Sequence, residues 1–135
     1  MTQAVFDSNV VISGVVWRGE SHLCLVAMAR RRVRVFTSHW ILEEVRRSVR
    51  KLEERGRAPQ DPWPSVNWFG YAALLVEPVP VGKQRSRDPK DDPILGSALA
   101  SRVRMIVTHD EDLLVLEKPF GIEILRPGPF LQRLA

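Results

Sequence analysis

Four acidic residues stand where apolar segments give way to predicted helices, and their carboxylates could hold a divalent cation. Asp7 closes an apolar run near the N-terminus, and Asp110 follows a second run of this kind. Glu44 and Asp92 belong to two further segments that lie between them in the sequence. Carboxylates gathered from separated segments repel one another unless a cation neutralises them. The sequence therefore predicts a divalent-metal site built from these acids.

The other potential ligands favour a site made of oxygen atoms. His22, His39, His109 and the single Cys24 do not have the spacing of a zinc site. Oxygen ligands alone favour Mg²⁺ or Mn²⁺. The chain also lacks a phosphate-binding Gly-Lys-Ser/Thr loop, a glycine-rich dinucleotide turn and a serine nucleophile elbow.

Each aspartate could instead cap a helix. Asp7 is followed by Ser8 and Asn9, which also cap helices well, so this helix start has more capping residues than it needs. We therefore expect the Asp7 carboxylate to be free for a ligand.

The same alternative applies to the later acids. Asp92 precedes Pro93, which suits the first position of a helix, so Asp92 is a natural N-cap. Asp110 and Asp112 are open to both interpretations. A carboxylate has two oxygens, so capping and metal binding do not exclude one another. The set of four acids, rather than any single position, carries the prediction.

Composition indicates a soluble globular protein of one domain, residues 1–135, with 44% hydrophobic and 27% charged residues. No apolar run approaches the roughly 20 residues that span a bilayer. The N-terminus leads directly into a predicted strand, so we expect no signal peptide. A single cysteine excludes a disulfide framework, and we expect a cytoplasmic protein without membrane contact.

The basic residues are concentrated in one part of the chain. The net charge is +4, and ten of the twenty lysines and arginines lie between positions 30 and 57, with only four acids. Such a segment could bind a phosphate backbone or could form a solvated helix face. No aromatic-interleaved RNA-binding motif accompanies it, so the substrate-binding residues remain unassigned.

Apolar runs alternate with helical patterns along the chain. Strands are predicted at about 3–7, 33–37, 76–79, 103–108 and 122–125, and helices near 9–16, 21–31, 40–54, 66–75, 93–101 and 111–116. This alternation predicts an α/β domain with a mostly parallel sheet. Ligands of such sheets bind at the carboxyl ends of the strands, where Asp7 and Asp110 are expected to lie.

Two segments between these strands bear on the site and the core. The helix near 41–52 has an apolar stripe with Glu44 at its border and Glu43 further towards solvent. Three prolines within six residues exclude a continuous helix over 56–68, where Trp63 and Trp68 are expected to pack on the core.

Four motifs resemble the PIN-domain family in order and spacing. They are VFDSNVVIS (5–13), SHWILEEV (38–45), DPKDDPIL (88–95) and IVTHDEDLL (106–114). The resemblance extends from Ala4 to about Phe130 and is closest to stand-alone bacterial PIN proteins classed as toxins of toxin–antitoxin pairs, the VapC-like ribonucleases.

The resemblance implies a three-layer α/β/α fold and a ribonuclease that depends on Mg²⁺ or Mn²⁺. The four metal-binding catalytic acids would be, in order, Asp7, Glu44, Asp92 and Asp110. Three further residues would support them: Asn9 would orient Asp7, Thr108 would supply a hydroxyl, and Asp112 would be an alternative to Asp110.

The resemblance also implies partners: an RNA substrate, a cognate antitoxin and a second copy of the chain in a homodimer. Two positions depart from the family pattern. Ser8 replaces the usual threonine and keeps its hydroxyl. His109 stands where a small or polar residue is common, and could either contact a substrate phosphate or crowd the site.

Two other classes of protein remain open. A phosphatase with an aspartyl nucleophile also begins with a strand that ends in aspartate, but it needs a second aspartate two residues later, where this chain has Asn9. A non-catalytic PIN-like module that binds RNA or protein would keep the fold without turnover.

Overall fold

The computed structural model describes residues 1–82, 89 and 92–134. Its five strands form one sheet with the order β3-β2-β1-β4-β5, and every neighbouring pair is parallel. The strands are β1 Thr2–Phe6, β2 Val33–Thr37, β3 Leu74–Leu75, β4 Met105–Val107 and β5 Glu123–Leu125.

Helices flank this sheet. They are α1 Ser8–Val16, α2 Glu20–Ala29, α3 His39–Glu54, α4 Trp63–Ala72, α5 Asp92–Ser101, α6 Glu111–Leu114 and α7 Pro127–Leu134, with a short 3₁₀ turn at Pro119–Gly121. The predicted three-layer α/β/α arrangement with a parallel sheet is confirmed.

The register of the central strands brings two chain segments to one edge of the sheet. Val5 lies beside Ile106, and Phe6 beside Val107, so β1 and β4 end side by side. Both strands are covered by helices: Val5, Phe6, Ile106 and Val107 are fully buried. The residues that follow these strands are therefore neighbours at the carboxyl edge.

The third strand lies earlier than predicted, at Leu74–Leu75 rather than 76–79. The Val76 N–H still donates to the Thr37 carbonyl at 2.8 Å, but the chain then leaves the sheet. Pro78 and Pro80 follow, and proline has no N–H to extend a ladder. The intervening Val79 N–H instead donates to a carbonyl of α5.

Helix α4 begins at Trp63, three residues earlier than expected, and ends at Ala72. Pro64 falls in its first turn, where the missing N–H removes no helical hydrogen bond. Trp63 and Trp68 are partly buried against the core, as predicted.

The sequence pattern did not reveal α7. Its first residues, Pro127, Gly128 and Pro129, resemble a turn, but proline is tolerated in the first turn of a helix. The helix is held by Phe130, which is fully buried and meets Phe6 edge-to-face with ring centroids 5.6 Å apart. Tertiary packing thus outweighs local propensity in this segment.

No single helix among the described residues is long and apolar enough to cross a membrane. Helices α1 and α2 reach the required length and hydropathy only when joined, and the chain bends by 94° between them.

Replacing Phe130 by alanine should lower the free energy of unfolding by about 3–5 kcal/mol, because it leaves a cavity against Phe6. Tyr71→Ala is the control: Tyr71 is 93% exposed, and its removal should change stability by less than about 0.5 kcal/mol. Urea unfolding followed by circular dichroism measures both. Equal effects of the two variants would show that α7 does not dock on this core.

Candidate active site

Asp7 is a buried carboxylate at the end of the central strand. Its side chain is 5% exposed, and its N–H donates to the Val107 carbonyl at 2.9 Å, which fixes it beside β4. Asp7 occupies the N-cap position of α1, but its carboxylate makes no capping hydrogen bond. Capping is therefore not the role of this side chain, and metal binding by Asp7 stays a prediction.

Thr108 connects the two strand ends. This residue is fully buried, and its hydroxyl donates to Asp7 Oδ2 at 2.7 Å. The Thr108 hydroxyl oxygen, Oγ1, in turn accepts a hydrogen bond from the Asp110 N–H at 2.9 Å. One hydroxyl therefore sets the positions of both acids.

Asn9 makes a second connection between the same segments. Its Nδ2 donates to Asp7 Oδ2 at 3.3 Å, and its Oδ1 accepts from the His109 N–H at 3.2 Å. Through this side-chain amide, α1 holds the Asp7 carboxylate in place and also fixes the backbone that leads to Asp110.

The electrostatics of Asp7 disfavour its charged form. Burial is the main cause that raises the pKa of Asp7 above its usual value, and the negative charge of Asp110 raises it further. The Thr108 hydrogen bond acts in the opposite direction. The Thr108 hydroxyl bonds to both residues, so the two acids are neighbours and their charges repel one another. A cation between them would relieve that repulsion.

Asp110 uses one oxygen as a helix cap, since its Oδ1 accepts from the Asp112 N–H at 3.0 Å. The capping interpretation is therefore correct for Asp110. Asp112 itself lies half-buried in the first turn of α6.

Asp92 is the first residue of α5 rather than the residue before it. Since α5 leads through a short connection into β4, its N-terminus lies at the carboxyl edge of the sheet. Asp92 Oδ1 is buried and has no hydrogen-bond partner in the part of the chain that the structure describes. Burying such an oxygen without a partner costs free energy, which a bound cation would offset. Most of the segment before it, residues 83–88, 90 and 91, lies outside the described residues.

Glu44 lies in the second turn of α3, the helix that begins directly after β2. It is half-buried whereas Glu43 is exposed, as the apolar stripe predicts. Glu44 Oε2 lies 3.6 Å from Nη1 of Arg47, one turn further along the helix.

The structure brings together two of the four predicted acids. Asp7 and Asp110 share Thr108, whereas no hydrogen bond or ion pair joins Glu44 or Asp92 to them. Among residues 1–82, 89 and 92–134, no three His, Cys, Asp or Glu side chains form a group that could hold one metal ion. The four-acid ligand set stays a prediction. Two features fit a hard cation: the unfavourable charge on Asp7, and the buried Asp92 oxygen that has no partner among the described residues.

His109 makes a contact that the sequence did not indicate. Its Nε2 lies 2.7 Å from Oγ of Ser21, a buried residue in the first turn of α2. Burial, and secondarily the charge of Arg126, lower the pKa of His109. Ser21 belongs to no motif, and only the tertiary position of α2 could have revealed the pair.

The PIN domain family model matches residues 3–112, which is most of the chain. The chain therefore belongs to the PIN-domain family. PIN domains are generally nucleases and generally use divalent metals.

Two solved structures share this fold. PAE2754 from Pyrobaculum aerophilum is 18% identical, with a TM-score of 0.69 over 98% of this chain and 89% of the other. FitAcB from Neisseria gonorrhoeae is also 18% identical, with a TM-score of 0.53 over 93% of this chain and 98% of the other. No curated protein sequence matches this chain.

Two buried threonines at the carboxyl ends of β2 and β4 test the role of Thr108. Thr108→Val should lower the free energy of unfolding by about 1–3 kcal/mol, because it leaves polar atoms of Asp7 and Asp110 without their partner. Thr37 is equally buried, but its hydroxyl has no partner among the described residues, so Thr37→Val should leave stability unchanged or raise it. Urea unfolding compares them, and equal losses would refute the role of Thr108.

Asp7→Asn should stabilise the metal-free protein at neutral pH. A carboxyl whose pKa is raised by folding binds its proton more tightly in the folded state. The wild type therefore loses stability as pH rises from the unfolded pKa, 3.8, through the raised folded value. Asparagine has no such loss, so the advantage of the variant should grow with pH over this range. Unfolding in chelator between acidic and neutral pH measures it, and a constant difference would contradict the burial of a repelled charge.

Proposed function

We propose that this chain is a ribonuclease that depends on Mg²⁺ or Mn²⁺ and hydrolyses RNA phosphodiester bonds. Asp7, Glu44, Asp92 and Asp110 would hold the ion. The observation that carries the proposal is the buried Asp7 carboxylate, held beside Asp110 through Thr108 at the carboxyl edge of a PIN-domain sheet. Membership of a nuclease family supports the reaction class.

The remaining residues have positioning roles in this proposal. Thr108 and Asn9 fix the orientation of Asp7, so that one carboxylate oxygen faces them. Asp110 already uses Oδ1 as a cap, and Asp112 provides an alternative carboxylate in the same turn. When bound, a divalent ion supplies an activated water and neutralises charge at the reacting phosphate.

The proposal also includes partners, which are inferred from membership of the PIN-domain family. We expect the chain to be the toxin of a toxin–antitoxin pair, to act in the cytoplasm, to form a homodimer and to be inhibited by a cognate antitoxin. Co-purification with the product of the adjacent reading frame, followed by mass measurement in solution, tests the antitoxin and the dimer together.

The alternative of a non-catalytic module is favoured by one observation, the lack of a three-residue metal-ligand group among the described residues. The phosphatase alternative loses support because Asn9 is committed to hydrogen bonds with Asp7 and the His109 backbone. The phosphatase alternative also predicts a phosphoenzyme, which an assay with phosphate-monoester substrates would reveal.

The purified chain should cleave a labelled mixed-sequence RNA with Mn²⁺ or Mg²⁺ and not with chelator. Asp7→Asn should reduce the rate at least about 100-fold, because even residues that only orient a metal ligand contribute about 10–100-fold. Gel analysis of the products over time measures the rates.

Asp61→Asn is the matched control, since Asp61 is exposed and asparagine keeps the oxygen that accepts from the Trp63 N–H. It should cleave at the wild-type rate. Cleavage by Asp7→Asn at the wild-type rate, or cleavage unaffected by chelator, would contradict the proposal. Binding of RNA without cleavage would support the non-catalytic alternative.

A further inference from the structure

The fold divides the basic segment of the sequence into two groups. Arg30 lies just beyond the end of α2 and Arg34 near the start of β2, so both are at the amino edge of the sheet. Arg46, Arg47 and Arg50 instead belong to α3, the helix that starts at the carboxyl edge and carries Glu44. Only the second group lies on an element of the candidate site.

The α3 arginines share one groove. Together with His39 and Glu43 they line a groove of about 380 Å³ on the exposed side of α3. Its three arginines and one glutamate give a formal charge of +2, not counting His39. Arg46, Arg47 and Arg50 are solvent-exposed, and none is buried in the core. The groove therefore presents several positive charges in a row.

A second groove of about 540 Å³ shares His39 with the first, because this residue lines both. Its surface is largely apolar, and it reaches the predicted metal ligand Asp92. The apolar part of its lining includes Trp40, Pro78, Val79, Pro80 and Pro93, and its acids are Glu77 and Asp92. Gly96 allows this wall to form, since a Cβ there would lie 2.4 Å from the Val79 carbonyl oxygen.

We propose that these two grooves, joined at His39, form one channel that binds a single strand of nucleic acid. The backbone phosphates would contact Arg46, Arg47 and Arg50, and a base would lie against Trp40 and the prolines beside Asp92. This inference rests on the proposed function, because it assigns that nuclease its substrate channel.

The dimensions and chemistry of the channel favour this occupant. From His39 to Arg50 the helix rises about 16 Å, at about 1.5 Å per residue, which is enough for more than one phosphate contact. Proteins that bind single strands combine a basic groove with an aromatic surface on which a base can stack. A duplex would keep its bases paired and away from Trp40. Arg47 also forms an ion pair with Glu44, so the basic groove adjoins a predicted catalytic acid.

Binding in chelator tests the channel separately from cleavage. The double variant Arg46→Gln/Arg50→Gln should weaken binding of a labelled single-stranded RNA about 25-fold at 0.1 M salt, and reduce the salt slope by about 1.4, because each single-strand phosphate contact contributes about 0.7. Fluorescence anisotropy over a salt series measures both quantities. Arg47 stays unchanged because it contacts Glu44.

Arg30→Gln/Arg34→Gln is the matched control, with the same loss of charge at the other edge of the sheet. It should bind as the wild type does. The channel is overturned if both double variants weaken RNA binding equally, or if neither weakens it. If the wild type does not cleave RNA but the two double variants still differ in RNA binding, the proposed function is refuted and the channel stands.

Two further probes test the occupant. A duplex of the same sequence and an acidic polyglutamate peptide should both compete more weakly than the single strand. Equal competition by either would overturn the assignment to single strands. Bound RNA should quench tryptophan fluorescence, and Trp40→Phe, which keeps an aromatic ring in place, should remove most of that quenching. Undiminished quenching would overturn the placement of a base at Trp40.

Discussion

The buried carboxylate of Asp7 is the constraint on which the site depends. The parallel pairing of β1 and β4 ends both strands at the same edge, and this leaves Asp7 beside Thr108 and close to Asp110. Burial and repulsion make the charge on Asp7 unfavourable, yet Thr108 and Asn9 hold the carboxylate in place. Functional sites commonly retain such strained electrostatics, because the same groups gain from binding a ligand of opposite charge.

The sequence predicted the central strands because their burial is visible in the pattern. The apolar runs ending at Phe6 and Val107 have no in/out alternation, as expected of strands covered on both faces. The pattern failed at the periphery. The edge strand is only Leu74–Leu75, and both residues are exposed, so no buried run marks it. The first turn of α7 contains two prolines, and the helix depends on Phe130. Phe130 contacts Phe6, which lies near the opposite end of the sequence.

The site was predictable in its composition but not in its geometry. Strand ends indicated Asp7 and Asp110, and helical periodicity separated Glu44 from Glu43. The hydroxyl of Thr108 as the link between two acids, and the contact of His109 with Ser21, depend on side-chain positions that no local pattern encodes. Likewise, the basic segment looks continuous in sequence, but β2 separates Arg30 from the α3 arginines in space. Charge density along a chain therefore overstates the size of a patch on its surface.

The central claim is that Asp7 belongs to a site for a divalent cation. Titration of Mn²⁺ into the metal-free protein, followed by calorimetry, tests it most directly because neither RNA nor turnover is needed. The account predicts saturable binding to the wild type and loss of that binding in Asp7→Asn, with Asp61→Asn unaffected. Equal Mn²⁺ affinity in the wild type and Asp7→Asn, or no binding by the wild type, would contradict it.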